Sequence, residues 1–260
     1  MWKFRRNANT VERPPLFWLL TEGSRAIAEL GFSIPYRKFL AGQNEGDGHP
    51  VLVLPGFLST DTSTRLMRSF IQKLGYTPYG WELGRNSADA SFLDLLQERL
   101  ELLHEDHQEA ITIIGWSLGG VYARQLGKAM PDKIRQIITL GSPFAGIQEP
   151  NNVAWIYNLI SKGDRIRRVD PALFDDIPLP APVPTTAVYT KEDGIVPWHL
   201  CMEEEDEIHQ NIQVRGSHVG LGVNATVLEI IADRLLHRKE NWAYFTPANI
   251  VQDLLFYPSL

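Results

Sequence analysis

Four short runs along the chain are apolar at consecutive positions, the pattern of strands buried on both faces. They are Val51–Leu54, Ile111–Ile114, Ile134–Leu140 and Thr185–Tyr189. A fifth run, Asn211–Arg215, alternates in polarity and suits a sheet edge, and Thr77–Trp81 is a weaker sixth. Between them, apolar positions recur at helical spacing over Thr62–Leu74, Ala90–His107, Leu118–Met130 and Asn224–Leu236. Strands alternating with helices of this length predict an α/β fold with a doubly wound, mostly parallel sheet and right-handed crossovers.

Three stretches fall outside that rhythm. Residues 1–48 precede the first strand, with Leu16–Leu20, Ile27, Leu30 and Phe32 marking a helix after Pro14-Pro15, and Gly42–Gly48 a flexible connector. This extension reads either as a helix covering the domain or as a surface facing a membrane or partner. Residues 144–184 interrupt the main domain at 49–240, and long excursions of this kind often form lids or binding loops. Within them Val153, Ile156, Tyr157 and Ile160 keep helical spacing beside Trp155, and Pro178, Pro180, Pro182 and Pro184 make a stiff approach to the next strand. A small cap is the functional reading, and a packed helix with a rigid linker the structural one. Residues 241–260 are rich in aromatics and are expected to fold back on the domain.

Composition narrows the classes. Net charge is −6 over 260 residues, and the only basic block is Arg165-Ile166-Arg167-Arg168, so nucleic acid is not an expected partner. Cys201 stands alone, which excludes an intramolecular disulfide and a zinc cluster. No run reaches the ~18 apolar residues of a membrane span. Leu16–Leu20 is too short for a signal-peptide core, and a cytoplasmic location is expected, with peripheral membrane contact left open.

The chemistry centres on Gly115-Trp116-Ser117-Leu118-Gly119, a G-x-S-x-G directly behind one strand and in front of a helix. Such a turn holds a serine hydroxyl exposed at a helix N-terminus, where it can act as a nucleophile. The pattern alone arises by chance in about one chain of this length in ten, so its placement carries the weight. A nucleophilic serine requires a base, an orienting carboxylate and an oxyanion pocket, all at the carboxyl ends of strands. His218 follows the last strand, with His199 and His209 as rivals. Asp193 follows Thr185–Tyr189, with Glu192, Asp164 and Asp170 as competitors, and the order Ser, Asp, His favours it. The backbone N–H groups of Leu118 and Phe57 are the expected oxyanion donors, Phe57 lying in the loop after Val51–Leu54.

Taken together, these segments resemble the α/β-hydrolase superfamily in its compact form, with bacterial lipases and esterases as the nearest likeness, over roughly residues 50–237. The resemblance rests on Val51–Phe57, Gly115–Gly120, Thr139–Gly146, Glu192–Trp198 and Gly216–Leu221 in that order. Pro55 departs from the pattern, standing where many lipases carry a histidine. The resemblance implies hydrolysis of a carboxylic ester, with Ser117 attacking, His218 moving protons and Asp193 orienting it, and with neither metal nor organic cofactor. Leu58, Trp116, Phe144, Trp155, Trp198 and Leu221 are the expected contacts to a hydrophobic acyl group. An acyltransferase or a thioesterase would use the same residues, and a non-catalytic scaffold is the reading from another class.

Overall fold

The structure, a computed structural model, describes residues 13–42, 46–89, 91–145, 176–247 and 256–258. Trp155, Asp164, Asp170 and most of the expected cap lie outside the described residues. The strands are β1 (Pro50–Leu54), β2 (Thr77–Gly80), β3 (Ile111–Trp116), β4 (Ile134–Leu140), β5 (Thr185–Tyr189) and β6 (His209–Gln213). They form one sheet in the order β2-β1-β3-β4-β5-β6, and every neighbouring pair is parallel. The helices are α1 (Leu16–Ala41), α2 (Asp61–Lys73), α3 (Ser91–His107), α4 (Leu118–Ala129) and α5 (Ala225–Leu235).

Alternate strand residues supply two apolar layers, as the pleat requires. Leu52, Leu54, Ile111, Ile113 and Ile137 pack with Leu96 and Leu100 of α3 and Ala123 and Leu126 of α4. Val51, Val53, Ile114, Ile138, Val188 and Ile212 pack on the other face with Met67, Phe70 and Ile71 of α2 and Val227, Ile230 and Ile231 of α5. The sheet is therefore wrapped on both sides, which explains why its central strands read as continuous apolar runs.

The last strand differs from its expected form. It spans His209–Gln213, two residues earlier than Asn211–Arg215, and it is buried throughout despite its polar sequence. It is nevertheless an edge strand, covered by Ala181 and Glu203–Asp206, which meet His209 and Asn211, and by the chain's return at Phe245. The Gln210 side chain donates to the Phe245 carbonyl (3.0 Å) and accepts from the Phe245 N–H (2.7 Å). Phe245 and Tyr257 are buried in the second layer.

The N-terminal helix continues through Pro35 to Ala41, beyond the stretch that its apolar residues mark. It packs against α5 and α2 with an inverted polarity. Leu20, Ile27 and Phe32 are 75%, 73% and 78% exposed, whereas Glu22 and Ser33 are buried. The carboxylates point inward, and their partners are at the candidate site.

At the amino end of the sheet a polar row closes the fold. Asp47 Oδ1 lies 2.6 Å from His49 Nδ1, and His49 Nε2 lies 3.0 Å from Thr112 Oγ1. Arg135 donates to the other Asp47 oxygen at 3.0 Å.

Candidate active site

The turn between β3 and α4 has the geometry that its sequence predicts. Ser117 adopts φ 53° and ψ −121°, a conformation non-glycine residues rarely occupy. Such backbone costs on the order of 1–3 kcal/mol and persists only where the surroundings impose it. Here the Ser117 N–H donates to the Leu140 carbonyl (2.8 Å). Close packing at the flanking glycines supplies the rest. A Cβ on Gly119 would meet the Leu54 carbonyl oxygen at 2.4 Å, and one on Gly115 would meet the Gly120 backbone at 2.3 Å. The N-terminus of α4 is thereby pressed against the carboxyl end of β1. Leu118 is the first residue of α4, so its N–H has no partner within the helix.

The loop after β1 lies against the serine, and the space at Gly56 borders Ser117 Cβ at 3.3 Å. Asn86, which nothing in the local sequence marks, holds this loop from beneath. Its side-chain Nδ2 donates to the Pro55 carbonyl (2.9 Å), and its Oδ1 accepts from the Ala88 N–H (3.2 Å). Its backbone exchanges bonds with Leu58 and Ser59 at 2.7 and 2.9 Å. Leu58 sits at φ 58°, a second strained position, and is 55% exposed. The Phe57 amide lies between these fixed points.

The acid and base loops meet across the ends of β5 and β6. His218 Nδ1 lies 2.6 Å from Asp193 Oδ2 in a buried pair. The other Asp193 oxygen accepts from the Ile195 and Val196 N–H groups at 2.7 and 2.6 Å, which fixes the carboxylate's orientation. Burial pulls the His218 imidazolium down, but Asp193, followed by Glu22, outweighs it and the net shift is upward from the usual 6.5. The imidazole borders Gly141, where a Cβ would meet His218 Nδ1 at 3.1 Å. Gly141 follows the residue that accepts the Ser117 N–H, so serine and imidazole border the same stretch of chain. The hydrogen bonds of His218 in this structure run to Asp193, Glu22 and Trp116.

The rivals are engaged elsewhere. Glu192 accepts from the Gly216 N–H (3.2 Å) and lies 3.8 Å from Arg215. His209 begins β6, at the opposite end of the sheet, and pairs with Asp206 and the Ala181 carbonyl. His199 stacks on Trp198 at 3.6 Å.

The expected acyl contacts divide. Trp116 follows the base loop: its Nε1 donates to the His218 carbonyl (3.2 Å) and its ring borders Gly222. Phe144 is fully buried beneath the Arg124 guanidinium, 3.8 Å from the ring centre. Leu221 is also fully buried, with its Cδ1 beside Gly141. Trp198 stacks on Tyr189 at 5.7 Å. Phe144 and Leu221 belong to the packed interior of this structure, while Leu58 presents open apolar surface.

A parallel sheet wrapped by helices, with a strained serine turn after a central strand and an imidazole–carboxylate pair at later strand ends, defines an α/β-hydrolase. Comparison with known proteins narrows this class. The family model for palmitoyl protein thioesterase matches residues 50–189, which is 140 of the 260 residues, and the chain belongs to that family. The matched span ends before Asp193 and His218. A curated rat (Rattus norvegicus) protein, palmitoyl-protein thioesterase ABHD10, mitochondrial, is 23% identical over 77% of this chain and 78% of its own length. Among solved structures, one reported with the metagenome-derived lipolytic enzymes LipS and LipT aligns with TM-score 0.52 and 18% identity, covering 74% of this chain and 94% of that one. Aspergillus fumigatus lipase B aligns with TM-score 0.53 and 17% identity, covering 74% and 53%. At these identities the solved structures speak for the fold alone. Among the described residues no helix is long and apolar enough to cross a membrane.

Proposed function

We propose that this chain is a serine acyl hydrolase that cleaves hydrophobic acyl groups from thioesters, and from esters by the same steps. The observation that carries the reading is the buried 2.6 Å contact of His218 Nδ1 with Asp193 beside the strained Ser117 turn. In this reading His218 Nε2 takes the Ser117 hydroxyl proton as Oγ attacks the acyl carbonyl carbon. The Phe57 and Leu118 amides receive the oxyanion, a contribution of about 2.7–4 kcal/mol per donor in comparable sites. Collapse breaks the bond to the leaving group, which departs as a thiol or alcohol carrying the proton from His218. Water, deprotonated by the same imidazole, then releases the carboxylic acid and restores Ser117. Asp193 stabilises the imidazolium in both halves.

The family match puts thioesters first. Their leaving group has an ordinary pKa near 8.5, so it departs with little help from an acid. The test compares palmitoyl and shorter acyl thioesters with p-nitrophenyl esters of matched chain length, together with labelling by a fluorophosphonate probe. Turnover and labelling of the native protein, both lost in Ser117→Ala, are the expected result. Hydrolysis that persists in Ser117→Ala would overturn the assignment. Activity on esters but not thioesters would leave the nucleophile standing and reverse the order of substrates.

A further inference from the structure

Helix α1 lies outside the span matched to the family, yet its two inward carboxylates hold the loops of the candidate acid and base. Glu22 Oε1 accepts from two amides at once, the Gly194 N–H of the acid loop (2.9 Å) and the His218 N–H of the base loop (3.2 Å). Glu22 Oε2 accepts from the Val219 N–H at 2.9 Å. One turn pair further along, Glu29 Oε1 accepts from the Ser217 N–H and hydroxyl at 2.8 and 2.7 Å, and Oε2 accepts from Asn224 Nδ2 at 2.8 Å. The loops are cut to fit this helix. A Cβ on Gly194 would meet the Leu19 N atom at 2.4 Å, and one on Gly220 would meet Glu29 Oε2 at 2.2 Å.

A buried carboxylate needs its acceptor sites filled whatever its role, so what marks Glu22 is which segments supply its donors. This one has three backbone donors and bridges the two segments whose separation sets the Asp193–His218 contact. Charge-assisted bonds of this kind are roughly twice as strong as neutral ones. We propose that Glu22 is a positioning residue for the hydrolysis, locking the acid and base loops in register and adding a second negative charge beside the His218 imidazolium. This rests on the assignment of Ser117, Asp193 and His218 above. Near His218 the charged groups are Asp193 from the acid loop, Glu22 from α1, and Arg25, which pairs with Glu22 at 3.0 Å and donates to the Gly216 carbonyl. Glu29 and Glu192 bind the neighbouring Ser217 and Gly216 amides. Burial depresses the imidazolium, while Asp193 and then Glu22 raise it.

Two substitutions in the full chain test this in opposite directions. Glu22→Gln leaves one acceptor oxygen and turns an amide NH2 toward the donors. It should lower kcat by about 10- to 100-fold with KM little changed, since small misplacements of reacting groups cost that much. It should also move the acid limb of kcat/KM to lower pH. Arg25→Met removes the cation that offsets Glu22, so the acid limb should move to higher pH, whether or not the glutamine variant folds. The solvent-facing change Ile27→Ser on the same helix should move neither. Acid limbs that stay at the wild-type position in both variants would overturn the proposal, even if stability falls, because a purely structural anchor gives that result. A wild type that neither turns over nor takes the fluorophosphonate label would instead overturn the assignment of Ser117, and this proposal with it.

Discussion

The indole N–H of Trp116 donates to the backbone carbonyl of His218 at 3.2 Å, joining the residue before the candidate nucleophile to the candidate base. Trp116 is an expected substrate contact by sequence, and this bond to the base loop is what the structure shows of it. Trp116→Phe keeps the ring against Gly222 and removes only the donor. A neutral hydrogen bond of this kind is worth about 0.5–1.5 kcal/mol, so kcat/KM should fall by up to about tenfold. Steady-state kinetics on an acyl thioester checks this, and an unchanged kcat/KM would show that the contact does not position His218.

The pH dependence has a definite sign. A general base works when neutral, and the net shift of His218 is upward. The acid limb of kcat/KM should therefore lie above the ordinary 6.5 of a histidine, with activity rising as the pH passes through it. The same raised pKa stabilises the fold below the unfolded-state value, and that contribution fades as the pH rises through the folded one. A pH–rate profile with its acid limb below 6.5 would contradict the reading.

Asn86→Ala removes the support beneath the loop that carries Phe57. The Pro55 carbonyl and the Ala88 N–H both lose a buried partner, at about 1–3 kcal/mol for each unsatisfied group. The loss should fall on kcat more than KM, because the Phe57 amide, as the proposed oxyanion donor, would act only once the oxyanion forms. Thermal unfolding measured beside single-turnover kinetics separates the two effects, and a rise in KM alone would count against this role.

Phe245→Ala tests the return of the chain onto β6. Phe245 is buried, its ring centre is 5.0 Å from that of Tyr257, and its backbone satisfies Gln210. Emptying such a site costs about 3–5 kcal/mol. A chemical denaturation midpoint within error of wild type would show that this packing adds little.

The sheet was legible because its strands are buried on both faces and announce themselves as unbroken apolar runs. Ser117, Asp193 and His218 could be named as candidates because parallel sheets place reactive groups where strands end, and the structure brings Asp193 and His218 into contact there. Other parts were not readable from the chain. A count of aromatic and apolar residues near the site cannot separate pocket from core: Phe144 and Leu221 are as apolar as any acyl contact and lie fully buried. Asn86 reaches the distant Pro55 carbonyl and Glu22 the distant Gly194, His218 and Val219 N–H groups, and a backbone group leaves no trace in residue types. One signal was present for α1. Glu22 and Glu29 are seven residues apart and share a helix face, opposite the apolar positions Leu20 and Ile27. That face could not be known to point inward until the glycine loops it meets were in place.

The polar row at the amino end of the sheet supplies an internal reference for the candidate site. His49 lies 2.6 Å from Asp47 and His218 lies 2.6 Å from Asp193, so the two imidazole–carboxylate contacts are matched in length. Their pKa values are displaced in opposite directions: burial, with Arg135 adding to it, keeps His49 below its usual value, while His218 is held above its own. Burial lowers both imidazolium values; Asp193 and then Glu22 outweigh it at His218, whereas Asp47 does not at His49, where Arg135 adds to the lowering. The hydroxyl facing His49 belongs to Thr112, the second residue of β3, and not to a residue at a helix N-terminus. Within one molecule, the same three functional groups thus make a structural latch at one end of β3 and a candidate for acyl transfer at the other.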